Sequence, residues 1–219
     1  MKSKIHNLSI TPSLIGECMA ELRDIELQKS RLLFRKNLER LGQMMAFELS
    51  KSLNYVNKSV QTPLGVAECQ VLKDQPIVAT ILRAGLPMHA GFLDFFDKAD
   101  NCFASAYRKH NKDGSFSIEL GYHAHPSLQD RTLILIDPML ATGKSMVEVY
   151  KLLTRTEKPC QVHVVSAVAS QEGLDYISRT MPEAEIWVAS IDQRLDSHFY
   201  IIPGLGDAGD LAFGEKEQG

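Results

Sequence analysis

From Pro76 onward the chain alternates short, nearly unbroken apolar runs with stretches of helical spacing. The runs are Ile77-Val78-Ala79-Thr80-Ile81-Leu82, Leu133-Ile134-Leu135-Ile136, Val162 to Val168 and Ile186 to Ile191. They are rich in β-branched residues and almost continuously hydrophobic, the mark of strands buried on both faces and so of a parallel sheet. Between them lie the helical stretches Met88 to Phe96, Ser145 to Thr154 and Glu172 to Met181. This alternation predicts an α/β fold, an open, mostly parallel sheet flanked by helices. The first quarter reads helical. Ser30 is placed to cap a helix in which Phe34, Leu38, Leu41, Met45 and Leu49 recur on one face. No repeat, low-complexity tract or linker cuts the chain, so a single domain is expected: a helical region over about 1–53, a core over about 76–191 and a C-terminal segment over about 192–214.

Composition narrows the class without naming a function. The chain has 219 residues, 44% hydrophobic and 23% charged, enough for a proper core. Its formal net charge of -3 gives no general attraction for nucleic acid, so an anion must be caught by a local cluster of donors. Cys18, Cys69, Cys102 and Cys160 are far apart and match no metal-ligand spacing, as expected in a reducing compartment. No stretch reads as a signal peptide or a membrane span, so a cytoplasmic protein with neither membrane nor nucleic-acid partner is expected.

Ligands of open α/β folds sit beyond the carboxyl ends of the strands, and the polar, glycine-containing segments fall there. The most informative runs from Asp137 through Pro138, Met139, Leu140, Ala141, Thr142, Gly143 and Lys144 to Ser145. A strand delivers an acid at its tip, and a short loop then enters a helix. Backbone N–H groups at the helix start, with the Thr142 and Ser145 hydroxyls, make a phosphate pocket. Asp137 can accept from two neighbouring hydroxyls, as on a ribose. A strand–helix turn with an ordinary cap is the plain alternative. A nucleotide-binding P-loop is the sharper one, but it needs a glycine where Pro138 stands, and proline lacks the N–H such a nest requires.

Asp-Pro-Met-Leu-Ala-Thr-Gly resembles the phosphoribosyl diphosphate loop of type I phosphoribosyltransferases, in the variant found in uracil phosphoribosyltransferases. Arg83-Ala84-Gly85-Leu86 resembles that family's first active-site loop, where a guanidinium binds the donor's diphosphate. Tyr107-Arg108 resembles the foot of its mobile hairpin, where the arginine also meets the donor. Tyr200 to Asp210 is similar, nearly residue for residue, to the family's uracil-binding hood. The resemblance places backbone contacts to uracil at Ile201, Gly206 and Ala208, with Asp207 reaching both base and donor. It covers roughly Leu22 to Gly214. Pro87 and Lys144 depart from the family pattern, and so does the stretch from Lys109 to Asp130. His123 and His125 in that stretch alternate as in a strand, but no third metal ligand accompanies them.

The resemblance implies transfer of a phosphoribosyl group from phosphoribosyl diphosphate to uracil, giving UMP in pyrimidine salvage. Arg83, Arg108 and Asp137 would be its catalytic groups, and Mg²⁺ would be bound through the donor diphosphate. It also implies a homodimer or higher homo-oligomer and makes GTP, an activator of some relatives, a candidate effector. Two other functions use the same fold: a pyrimidine-sensing regulatory protein and a catalytically weak paralogue. Against an RNA-binding regulator stands the lack of a basic stripe interleaved with aromatics.

Overall fold

The computed structural model describes residues 3–110 and 116–216, and for 107–110 and 116–118 the backbone only. In chain order the elements are β1 (Ile5–Asn7), α1 (Leu14–Arg23), α2 (Arg31–Ser50), β2 (Tyr55–Thr62), β3 (Gly65–Leu72), β4 (Ile77–Leu82), α3 (Leu86–Leu93), β5 (Asp100–His110), β6 (Phe116–Ala124), β7 (Thr132–Ile136), β8 (Met139–Leu140), α4 (Lys144–Leu153), β9 (Gln161–Ser170), α5 (Gln171–Thr180), β10 (Glu185–Asp192), β11 (Arg194–Leu195), β12 (Ile201–Ile202) and α6 (Ala208–Phe213).

The four apolar runs are β4, β7, β9 and β10, and they form the middle of one sheet ordered β1-β10-β9-β7-β4-β5-β6, with β8 also paired to β9. Every pairing is parallel except β5 with β6. Because these strands are covered on both faces, alternate residues feed two cores. Ile134, Ile136, Val165 and Ala189 face the side of α1, α2 and α3, whereas Leu133, Leu135, Val164 and Val188 face α4 and α5.

Ser30 caps α2 by accepting from the Leu33 N–H at 3.3 Å, and the expected stripe from Phe34 to Leu49 is buried. α2 and α3 cross backbone to backbone: a side chain at Gly42 would run into the Met88 carbonyl, and one at Gly91 into the Glu39 carbonyl. Pro87 sits in the first turn of α3, where a missing N–H has no helical partner to lose. Two features went unread in the helical first quarter and the stretch after it. β1 adds an edge strand to β10. β2 and β3 form a separate antiparallel hairpin, exposed over most of its length. No helix among the described residues is long and apolar enough to cross a membrane.

At the amino end of β9 the Trp187 indole Nε1 donates to His163 Nδ1 at 3.2 Å, and the His6 ring stacks on Trp187 with centroids 3.7 Å apart. Burial pushes the His163 imidazole down to about 4, a fall that nearby Glu185 opposes and His6 reinforces. A neutral native histidine facing an unfolded value near 6.5 means that the unfolded chain binds the extra proton between those pH values. This contribution to stability is therefore whole above pH 6.5 and lost as pH falls toward 4, by roughly 3 kcal/mol in all. Urea unfolding between pH 7.5 and 4 should show that slope, and His163→Asn should flatten it relative to wild type. Parallel slopes for the two proteins would mean that His163 does not titrate in this range.

Candidate active site

Strand order reverses once. From β4 the chain steps outward to β5 and β6, then returns to the other side of β4 as β7 and continues outward to β9 and β10. Loops leaving the carboxyl ends of β4 and β7 consequently diverge and open a crevice between them. Arg83-Ala84-Gly85 leaves β4, whose Leu82–Arg83 peptide is cis. The segment from Asp137 to Gly143 leaves β7. Gly85 holds the first loop down on the second. A Cβ there would strike the Thr80 hydroxyl and lie 3.0 Å from the Ile81 carbonyl oxygen and 3.1 Å from that of Ile136.

The second loop is sewn to β9 along its length. The Asp137 N–H donates to the Val165 carbonyl at 3.1 Å, and the buried Pro138 accepts from the Val168 N–H at 3.0 Å. Met139 and Leu140 are β8, paired with Val168 and Ala169. Behind the loop the Ser170 hydroxyl donates to the Ala141 carbonyl at 2.6 Å and accepts from the Gly173 N–H at 2.9 Å. The Asp137 carboxylate, half-buried, accepts from the Met139 N–H at 3.3 Å. Thr142 is buried, its hydroxyl accepting from the Lys144 N–H at 3.4 Å. Gly143 caps α4 in the left-handed region, with φ of 74°, which favours glycine. Lys144, exposed, and Ser145 form the first turn. A cleft of about 30 Å³ is lined by Asp137, Thr142, Gly143 and Ser145, among others. An acid at one end and helix-start N–H groups with hydroxyls at the other thus share one small recess.

The C-terminal segment folds over the same end of the sheet. It contains the β11–β12 hairpin and α6, elements too short to print a period on the sequence. Ile201 lies opposite Leu195 in that hairpin. The chain then turns through a cis Ile202–Pro203 bond, Gly204 with φ of 58° and Gly206 with φ of 92°. Asp207 caps α6, accepting from the Gly209 N–H at 2.9 Å and the Asp210 N–H at 3.1 Å, while Lys216 Nζ donates to its other oxygen at 3.1 Å. Burial alone would raise the Asp207 carboxyl, but these bonds, led by that from Asp210, hold it below the usual range. Ala208 is buried and Gly206 exposed.

Arg83 joins the two parts. Its Nη2 donates to Asp210 Oδ1 and to the Gly214 carbonyl, both at 3.0 Å. The structure therefore gathers Arg83, the Asp137–Ser145 loop and the segment bearing Ile201, Gly206, Asp207 and Ala208 at one end of the sheet. Arg108 lies on β5, opposite Ile118 of β6, and β5 runs on to His110. The Arg108 side chain and residues 111–115 fall outside the described residues. His123 and His125 stack with centroids 6.1 Å apart. Sequence reasoning missed Asp210, Ser170 and Lys216. Asp210 alone carried a signal, since Gly209-Asp210 repeats Gly206-Asp207 at one helical turn.

Known proteins match this chain along nearly all its length. The family model described as uracil phosphoribosyltransferase matches residues 10–215. A uracil phosphoribosyltransferase of Porphyromonas gingivalis is 49% identical over 214 residues, covering 97% of this chain and 99% of its own. One from Methanococcus vannielii is 37% identical over 96% of this chain and 90% of its own. Among solved structures, a protein from Aquifex aeolicus superposes with a TM-score of 0.85 at 33% identity, covering 96% of this chain and 98% of that one.

The contact at Gly85 can be tested by filling it. Gly85→Ala forces backbone apart at the crevice, and overpacking of this kind costs typically about 1–3 kcal/mol. Gly16→Ala, in α1 with nothing near its Cβ position, should instead stabilise by about 0.5–1 kcal/mol. Urea unfolding of both variants reads the contrast, and equal effects at the two positions would contradict the tight approach at Gly85.

Proposed function

We infer the activity from one premise, that this chain belongs to the uracil phosphoribosyltransferase family. It is a phosphoribosyltransferase that joins uracil to the ribose of 5-phospho-α-D-ribose 1-diphosphate, forming UMP and releasing diphosphate. The bond from the anomeric carbon to the diphosphate oxygen breaks, a bond from that carbon to a uracil ring nitrogen forms, and the ring proton passes to solvent. The observation that carries this proposal is the recess at the strand reversal. Its acid, hydroxyls and helix start suit a ribose 5-phosphate, and a glycine-rich hood covers the same end.

Each group then has a task. The start of α4 with Thr142 and Ser145 receives the 5-phosphate. The half-buried Asp137 accepts from the ribose hydroxyls and favours positive charge growing on the ring. Arg83 gives one nitrogen to Asp210 and Gly214, and a guanidinium's remaining N–H groups suit the departing diphosphate. Arg108 is proposed as a second diphosphate ligand. Backbone groups at Ile201, Gly206 and Ala208 read the alternating acceptors and donor of uracil, and the hood keeps water from the donor.

Mg²⁺, when bound, neutralises charge on the leaving diphosphate. Among the described residues no three His, Cys, Asp or Glu side chains are gathered to hold a metal, and the Asp207 carboxylate is engaged by its cap and Lys216. These residues fit an ion that arrives on the donor better than one lodged in a protein cage.

Incubation with phosphoribosyl diphosphate, Mg²⁺ and radiolabelled uracil should yield UMP, with little product from hypoxanthine, guanine, adenine or orotate. A purine accepted better than uracil would overturn the assignment of the base.

Asp137→Asn keeps the shape of the side chain but removes its charge. Charged hydrogen bonds are worth about 1.5–3 kcal/mol each, so kcat/KM should fall ~10- to 100-fold. Wild-type kinetics in a folded Asp137→Asn protein would remove Asp137 from the ribose site.

A further inference from the structure

The hood meets the sheet at a half-buried ionic cluster. Asp192 ends β10 and is only 6% exposed. Its carboxylate accepts two bonds from the Arg23 guanidinium, Nη2 to Oδ1 at 2.8 Å and Nη1 to Oδ2 at 2.9 Å. The same Oδ2 also accepts from the Gly204 N–H at 2.8 Å. Arg23 closes the ring: Nη1 donates to the Gly204 carbonyl at 3.0 Å, and Nη2 to the Ser190 hydroxyl at 2.9 Å. Both backbone groups of Gly204 are thus held by one ion pair, the N–H by the acid and the carbonyl by the base.

Gly204 is where the hood changes direction. It follows the cis Ile202–Pro203 bond and adopts a left-handed φ of 58°. A Cβ there would collide with the Ile201 carbonyl, so Ile201 and Gly204 are folded tightly on each other. Two residues later Gly206 begins the stretch that leads to Ala208. Fixing Gly204 therefore fixes the backbone between two of the groups assigned to the base. Arg23 is also tied to Gln28, whose Nε2 donates to the Arg23 carbonyl at 3.3 Å.

We propose that Arg23 and Asp192 are positioning residues for the acceptor base, setting the Gly204 turn so that the hood's backbone meets uracil in register. Neither side chain belongs to the phosphate loop or to the Arg83 loop, so the pair acts first on the base end of the site. A bidentate guanidinium–carboxylate pair suits this task, because its planar geometry fixes direction as well as distance. Lysine in place of Arg23 keeps the charge opposite Asp192 but cannot hold Asp192, Ser190 and the Gly204 carbonyl together.

This proposal rests on the hood binding the base, and the experiment separates the two claims. Steady-state kinetics of wild type, Arg23→Lys and Asp192→Asn are measured with each substrate varied, beside thermal unfolding and direct binding of phosphoribosyl diphosphate. Misplacing a recognition group by about 1 Å costs up to ~100-fold. The uracil KM is therefore expected to rise roughly tenfold or more in both variants, while the donor KM and donor Kd stay within about twofold. Asp192→Asn leaves a half-buried guanidinium short of its charge partner and is the variant more prone to unfold. Arg23→Lys carries the test if it does. A folded Arg23→Lys protein with an unchanged uracil KM, or with both KM values raised alike, overturns the positioning role. A wild-type enzyme that uses a different base overturns the uracil assignment instead, and the same split is then sought with that base.

Discussion

Two parallel strands, β4 and β7, lie side by side in the middle of the sheet and send their chains away in opposite directions, and the site depends on that pairing. Right-handed crossovers leave no choice about which way α3 and α4 depart, so the loops after Leu82 and Ile136 must diverge. Gly85 then keeps them from diverging far. Because it has no side chain, the first loop rests on the Ile136 carbonyl at the root of the second. The recess is a product of buried strand packing before any polar residue contributes to it.

The two ends of the site are fastened by different means. The Asp137–Ser145 loop is part of the sheet: β8 pairs with β9, and the Asp137 N–H and Pro138 carbonyl extend the ladder. Its geometry rests on backbone hydrogen bonds that any sequence of similar shape could make. Among the described residues the hood has no ladder to the sheet. Side chains hold it: Arg23 and Asp192 at Gly204, Arg83 and Asp210 across the crevice, and Arg35 donating to the Ala212 carbonyl at 2.7 Å. Fasteners of this kind depend on particular residues, where the ladder depends on the backbone alone.

That difference also explains what could be seen from the chain alone. β4 was legible to the residue, and β7, β9 and β10 nearly so, because strands buried on both faces must be apolar at every position. α3, α4 and α5 began one or two residues earlier than their periodicity indicated, since caps such as Gly143 and Ser170 lie outside the apolar stripe. The Asp137 loop was legible because its chemistry is contiguous. β2 and β3 were not, since a hairpin exposed on both faces buries no stripe that would print a period. The ion pair of Arg23 with Asp192 joins residues 169 apart, and nothing local in either segment announces the other.

α2 has a consequence for the span of the site. Gly42, where α2 meets the backbone of α3, and Arg35, which holds α6, are seven residues apart and so lie on one face, roughly 10 Å from each other along the axis. α3 starts directly after the Arg83 loop, and α6 carries Ala208. One helix therefore works as a gauge block between the Arg83 loop and the C-terminal segment. Its rise sets the distance between α3 and α6. Adding a single residue between Arg35 and Gly42 would turn one jaw about 100° from the other, whereas lengthening the loop between β11 and β12 would leave the gauge unchanged.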